Sequence, residues 1–130
     1  MEQKLQNQVA IITGASSGIG SGVAKSLSAA GAAVVINYPV AATKDAAEAV
    51  LSEIVSAGGK GMTVQCDVSK ESDVKKMFSD TIQQFGTVDI LVNNAGLQKD
   101  SPFEEMTLDQ WNMVLSVNLT GQFLCAREAI

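Results

Sequence analysis

Eight residues, Thr13-Gly14-Ala15-Ser16-Ser17-Gly18-Ile19-Gly20, follow an apolar run and lead into a helical stretch. Small residues at such a turn let backbone N–H groups approach a pyrophosphate, and the start of the next helix directs about half a positive charge at it. The spacing of Gly14, Gly18 and Gly20 differs from the stricter G-x-G-x-x-G fingerprint, and a tight turn that binds nothing is the plain alternative. Three further polar ends accompany it, Asn37-Tyr38, Asp67-Val68 and Asn93-Asn94-Ala95-Gly96, each directly after an apolar run. Asp67 and Asn93 singly also suit helix caps or Asx-turns. Four such ends on one rim describe a binding cleft, because open α/β sheets take ligands at the carboxyl ends of their strands.

The apolar runs that must position these ends are residues 9–12, 33–36, 62–66 and 88–92. They are close to continuous rather than alternating, as strands covered on both faces are. Residues 19–30, 43–57 and 70–85 lie between them, each long enough for a crossover helix. The third starts at Ser69 as N-cap, carries acidic residues in its first turn and stops at Gly86. The repeated β-α-β pattern predicts an α/β fold of the Rossmann type, a doubly wound parallel sheet with helices on both faces. Residues 1–130 are expected to form one nucleotide-binding domain of that fold.

Composition narrows the chemistry. Nine Lys and Arg against fourteen Asp and Glu leave a net charge of −5. That excludes a nucleic-acid surface held by phosphate contacts, and makes an anionic cofactor depend on local amides and helix ends. There is no histidine, which excludes His-based triads, histidine acid–base catalysis and zinc sites with His ligands; no metal site is expected. Cys66 and Cys125 read as buried small residues of a reducing compartment. Residues 1–8 are polar and lack the apolar run of a secretion signal. The uncharged stretch 26–43 is interrupted by Gly31, Asn37, Tyr38 and Pro39, so no membrane span is expected and a cytoplasmic location is.

Taken together, these residues resemble the short-chain dehydrogenases/reductases. Thr13 to Gly20 is similar to that family's T-G-x-x-x-G-x-G turn, Asp67-Val68 to its D-V pair, Asn93-Asn94-Ala95-Gly96 to its N-N-A-G motif and Asn118-Leu119-Thr120-Gly121 to its N-x-T-G segment. Within the family, residues 93–130 most resemble bacterial glucose 1-dehydrogenases, above all at Glu105-Met106-Thr107-Leu108-Asp109-Gln110-Trp111-Asn112. The 3-oxoacyl carrier-protein reductases are the nearest competitor. The resemblance implies that Gly14, Gly18 and Gly20 admit the pyrophosphate, with Ile19 at the helix start and Ser16, beside Ser17, near the adenosine ribose. Asp67 would accept from the adenine amino group and Val68 would pack on the ring. Asn94 and Gly96, with Ala95 between them, would line the nicotinamide side. Asn118 would be a catalytic-site residue that holds a water and the helix backbone in a proton relay; the alternative is a polar residue bonding locally within a helix. Thr13 has a similar alternative, tying the first strand's end to the fourth.

A family member reserved for NAD carries an acid at the end of the second strand to bond the ribose 2′-OH. Here Asn37 is read as standing there, followed by Tyr38 and Pro39, so NADP is permitted. Basic partners for a 2′-phosphate are also scarce: Ser16 and Ser17 occupy the turn and only Lys44 is near. Use of both NADP and NAD, leaning to NADP, is the expectation. The family's Tyr-x-x-x-Lys is absent, since the single tyrosine, Tyr38, is followed four residues on by Ala42. The chain therefore reads as the cofactor-binding front half of a longer enzyme, inactive alone, or else as a non-catalytic nucleotide-binding module. Its last helix, from about Leu108, is apolar around its whole circumference and is expected to be buried on several sides. The resemblance implies a homotetramer in which that helix meets a sister subunit; cover by the rest of its own chain is the alternative. Residues Gln98, Lys99, Asp100, Ser101 and Pro102 border a substrate pocket, for a sugar by resemblance, or form an exposed loop.

Overall fold

Strand β1 (Val9–Ile12) is four consecutive apolar residues, and β2 (Ala33–Tyr38) opens with four more, Ala33 to Ile36; every residue of both strands is buried. Such runs have no polar face to turn to water and are stable only inside a sheet covered on both sides. In the computed structural model, which describes residues 3–97 and 101–130, they form the centre of a four-stranded parallel sheet. Its order is β3-β2-β1-β4, with β3 at Gly61–Gln65 and β4 at Ile90–Val92. The register aligns Ile11 with Val35 on one side and Leu91 on the other, and Val35 with Met62.

The period of two along each strand divides the core. Ala10, Ile12, Val34, Ile36 and Tyr38 pack on one face with Ala24 of α1 (Gly18–Ala29) and Ala47, Val50 and Ile54 of α2 (Lys44–Ser56). Ile11 and Val35 pack on the other face with Val74, Met77 and Phe78 of α3 (Glu71–Phe85) and with Leu124 and Cys125. Each buried Ile or Val contributes roughly 1.5–3 kcal/mol, so the two faces together dominate the stability. The fold is the expected Rossmann-type α/β arrangement, and no helix of the described residues is long and apolar enough to cross a membrane.

Several local expectations shift. β2 runs two residues further than its aliphatic run, through Asn37 and Tyr38, because their backbone still pairs with Val64 and Gln65. Ser69 is not the N-cap of α3: Lys70 holds that position without a side-chain cap bond, and the Ser69 hydroxyl donates to Asp67 Oδ1 at 2.6 Å instead. Gly86 does end α3, in the left-handed conformation at φ 89°. The last helix is built in three parts, α4 (Leu108–Leu115), a wider π turn over Ser116–Thr120, and α5 (Gly121–Ala129). Thr107 and Gln110 cap its start reciprocally. Within this chain its buried positions include Gly121, Leu124 and Cys125, while Trp111, Leu119 and Phe123 are 53%, 65% and 57% exposed.

Two glycines give opposite predictions for alanine. A Cβ at Gly61 would lie 2.3 Å from the Val34 carbonyl oxygen, whereas at Gly22, on an exposed turn of α1, it would meet nothing within 4 Å. Gly61→Ala is expected to cost about 1–3 kcal/mol of unfolding free energy in urea titration, and Gly22→Ala to add about 0.5–1 kcal/mol.

Candidate functional site

The carboxyl ends of the strands converge as the motif spacing implies. Gly14 turns the chain out of β1 at φ 62°, and a Cβ there would press on Ala95 Cα at 2.9 Å. Gly20 is pinched harder, its missing Cβ falling 2.5 Å from Asn94 Nδ2 and 2.7 Å from the Gly14 carbonyl oxygen. Gly18, at φ 60°, faces open space. Two of the three glycines thus serve close packing, and the third leaves the outer side of the turn clear. Ser17 is the N-cap of α1 but makes no side-chain cap bond, and the first turn holds no acid. The positive end of α1 is left unneutralised by its own side chains. Ser16 is half-buried, Ser17 is exposed, and Ile19 is 80% exposed at the helix start.

Three buried or half-buried polar side chains hold this turn in place. The Thr13 hydroxyl accepts from the backbone N–H groups of Asn94 (3.0 Å) and Ala95 (2.9 Å) and donates to the Val92 carbonyl at 3.3 Å. Thr13 thus ties the end of β1 to that of β4. Asn94 returns the contact, its Nδ2 donating to the carbonyls of Thr13 and Gly14, both at 3.1 Å. Asn37 approaches from β2. Its Oδ1 accepts from Gly14 N–H at 3.0 Å, and its Nδ2 donates to the carbonyls of Cys66 (3.0 Å), Val64 (3.3 Å) and Tyr38 (3.4 Å).

That placement corrects the reading of Asn37 as the strand-end residue. It lies one residue inside β2, is 1% exposed, and its side chain is committed to backbone groups. Tyr38 is the last strand residue, 5% exposed and packed with the α1 and α2 face.

On the third strand end, Asp67 Oδ1 accepts from the N–H and the hydroxyl of Ser69, and its own N–H donates to Asp73 Oδ2 at 3.1 Å. Val68 is buried, and Gly121 packs so closely on it that a Cβ there would fall 2.6 Å from Val68 Cγ2. Asn118 sits in the π turn, where its Oδ1 accepts from Leu97 N–H (2.7 Å) and its Nδ2 donates to the Leu97 carbonyl (2.9 Å). It clamps the helix to the loop after Gly96. The π turn itself was not foreseen; Asn118 within a helical run just before a tightly packed Gly121 was its only local signal.

A cleft of about 690 Å³ opens between these elements, within the range of small-molecule sites. Gly14, Asn37, Asp67, Val68, Ala95 and Gly96 line it, joined by residues sequence reasoning did not single out: Val40, Leu97, and Asn112, Met113, Ser116 and Val117 from one side of the last helix. Their helical spacing was the signal available. Gln98, Lys99 and Asp100 lie outside the described residues. Another cavity of about 770 Å³ lies at the opposite sheet end, bordered by Gly31, Ala57 and Lys60, where α1 and α2 finish. Helix C-termini present carbonyls, so that end does not suit an anion. No group of three or more His, Cys, Asp or Glu that could hold a metal occurs among the described residues.

Residues 8–130 match the sequence profile of a family described as short chain dehydrogenase. The chain belongs to that family. Among its curated relatives is a 3-oxoacyl-[acyl-carrier-protein] reductase of Synechocystis sp., 43% identical over 123 residues, which cover 95% of this chain and 49% of the relative. Among solved structures, a short chain dehydrogenase from Burkholderia cenocepacia in complex with NADP superposes with a TM-score of 0.92 at 34% identity, covering 97% of this chain and 51% of that one. A dehydrogenase/reductase from Sinorhizobium meliloti gives 0.91 at 38% identity, covering 96% and 49%. The chain spans about half the length of the curated relatives it matches.

Both cysteines are free and buried. Burial pushes Cys66 from an ordinary 9.0 up to about 12, helped by nearby Cys125, Asp73 and Asp67, and pushes Cys125 up to about 11. The unfolded thiols ionise first as pH rises past 9, so stability is full below that point and falls towards 11–12. Urea midpoints measured between about pH 8 and pH 10.5 are expected to drop, and Cys66→Ala to flatten that slope. Thr13→Val, which leaves the Ala95 N–H unpaired, is expected to cost about 1–3 kcal/mol in the same titration, and Thr13→Ser much less.

Proposed function

We propose that this chain is the cofactor-binding part of an NAD(P)-dependent oxidoreductase. The observation that carries the reading is the glycine turn, locked by Thr13, Asn37 and Asn94, with Gly14 lining the cleft and an unneutralised helix start following it. The residues fit a dinucleotide: the open side of Gly18 and the first amides of α1 suit the pyrophosphate, with Ser16, Ser17 and Ile19 around them. Asp67, whose Oδ1 is held by Ser69, has its other oxygen left to accept from the adenine amino group, and Val68 would pack against the ring. Ala95 and Gly96 border the nicotinamide side. When bound, the nicotinamide supplies hydride transfer to or from the substrate carbon. Asn118, in the π turn, holds Leu97 beside that end through both atoms of its amide, and would join the proton relay from there.

Both NADP and NAD are proposed as cofactors, with a lean to NADP. No acid stands at the end of β2, where Tyr38 is followed by Pro39 and Val40, and the Burkholderia relative was solved with NADP. An aldose such as glucose, oxidised at C1, is the proposed substrate, on the resemblance of residues 93–130. A 3-oxoacyl thioester is the second reading, favoured by the 43% identity to the Synechocystis reductase. The exposed face of Trp111, Leu119 and Phe123 supports assembly as a homotetramer of the full protein in the cytoplasm.

The deciding experiment follows the near-ultraviolet absorbance of reduced nicotinamide, using the full-length protein with glucose and with a 3-oxoacyl thioester, each with NADP and NAD. Turnover of glucose, faster with NADP, is expected. Turnover of the thioester alone replaces the aldose reading by the second, and cofactor binding without turnover of either substrate leaves the module reading in force.

A further inference from the structure

Asn37 does more than fill a strand end. Its backbone carbonyl accepts from Ala15 N–H (2.9 Å) and its Oδ1 from Gly14 N–H (3.0 Å), so one residue grips two successive amides of the phosphate turn. The same amide group reaches the other way, to the carbonyl of Cys66 at 3.0 Å, the residue immediately before Asp67. These partners lie 23 and 29 positions away, just past the ends of β1 and β3, and the side chain joining them is 1% exposed.

We infer that Asn37 is a positioning residue that sets the distance between the phosphate turn and the Asp67 loop, and that this position takes no part in choosing between NAD and NADP. The inference rests on the dinucleotide reading above. An amide is needed because one end must accept and the other donate. A carboxylate here would still accept from Gly14 but would face the carbonyls of Tyr38, Val64 and Cys66 with no proton to offer. It would push the third strand end away rather than turn out to meet a ribose. Ligands that bridge the turn and the Asp67 loop depend on the spacing; a ligand that touches one side does not.

The test is Asn37→Asp in the full-length protein, read by equilibrium binding of NAD, NADP and adenine and by amide hydrogen exchange without ligand. The expected result is a loss of roughly tenfold or more in affinity for both dinucleotides alike. Adenine binding should change little, and exchange at Gly14, Ala15 and Asp67 should quicken. A merely structural role would weaken all three ligands together. That result overturns the proposal, as does NAD tightening relative to NADP or unchanged exchange at the turn. If Asn37→Asp does not fold, Asn37→Ser carries the same comparison without burying a charge. A native protein that binds neither dinucleotide removes the functional reading instead, and the exchange arm still decides whether Asn37 couples the two loops.

Discussion

The site depends on hydrogen bonds that replace sheet pairing where the sheet stops. At the carboxyl ends of β1, β2 and β4 the backbone must leave the ladder while still out of water, and each orphaned N–H and carbonyl needs a partner. Thr13, Asn37 and Asn94 supply them, reaching strand ends up to 82 positions away in sequence. Without these side chains the turn from Gly14 to Gly18 would be one loop among many. With them it is held rigidly against β4 on one side and β2 on the other.

The same economy of space explains the glycines. Gly14 and Gly20 are small because Ala95 and Asn94 occupy the volume that a Cβ would need. The glycine turn and the Asn93 to Gly96 loop are therefore packed into one another. Gly121 brings the last helix equally close to Val68, which places the π turn and Asn118 over the loop after Gly96. Electrostatics follows from this packing. The chain carries a net charge of −5, yet the turn holds no acid and the α1 start has no side-chain cap, so local amides set the field that an anionic group would meet.

Legibility in the sequence varied with the distance over which each feature is decided. The strands and the first three helices were visible as continuous apolar runs between helical stretches, and Gly86 marked a true helix end. The end of β2 was not, because Asn37 and Tyr38 are polar or amphipathic residues whose strand pairing comes from Val64 and Gln65. Ser69 looked like a cap, but Asp67 is nearer and more strongly charged, so the hydroxyl bonds there. The reciprocal cap of Thr107 and Gln110 was legible in its spacing. Helical periodicity did not reveal that Trp111, Leu119 and Phe123 are left open, since it reports which residues share a face and not what covers that face.

Taken alone, the sequence determined the fold class, the order of its elements, the position of the glycine turn and which polar residues lie near the strand ends, because these follow from local periodicity, backbone sterics and short motifs. Tertiary structure alone decided what each polar residue does there. Whether Asn37 faces a cleft or the core, and whether Asn118 bonds within its helix or to Leu97, depends on which groups a sheet of order β3-β2-β1-β4 and a widened helix bring within hydrogen-bond reach. Partners separated by 21 to 82 residues carry no local signal; they meet only once the two apolar faces have been buried.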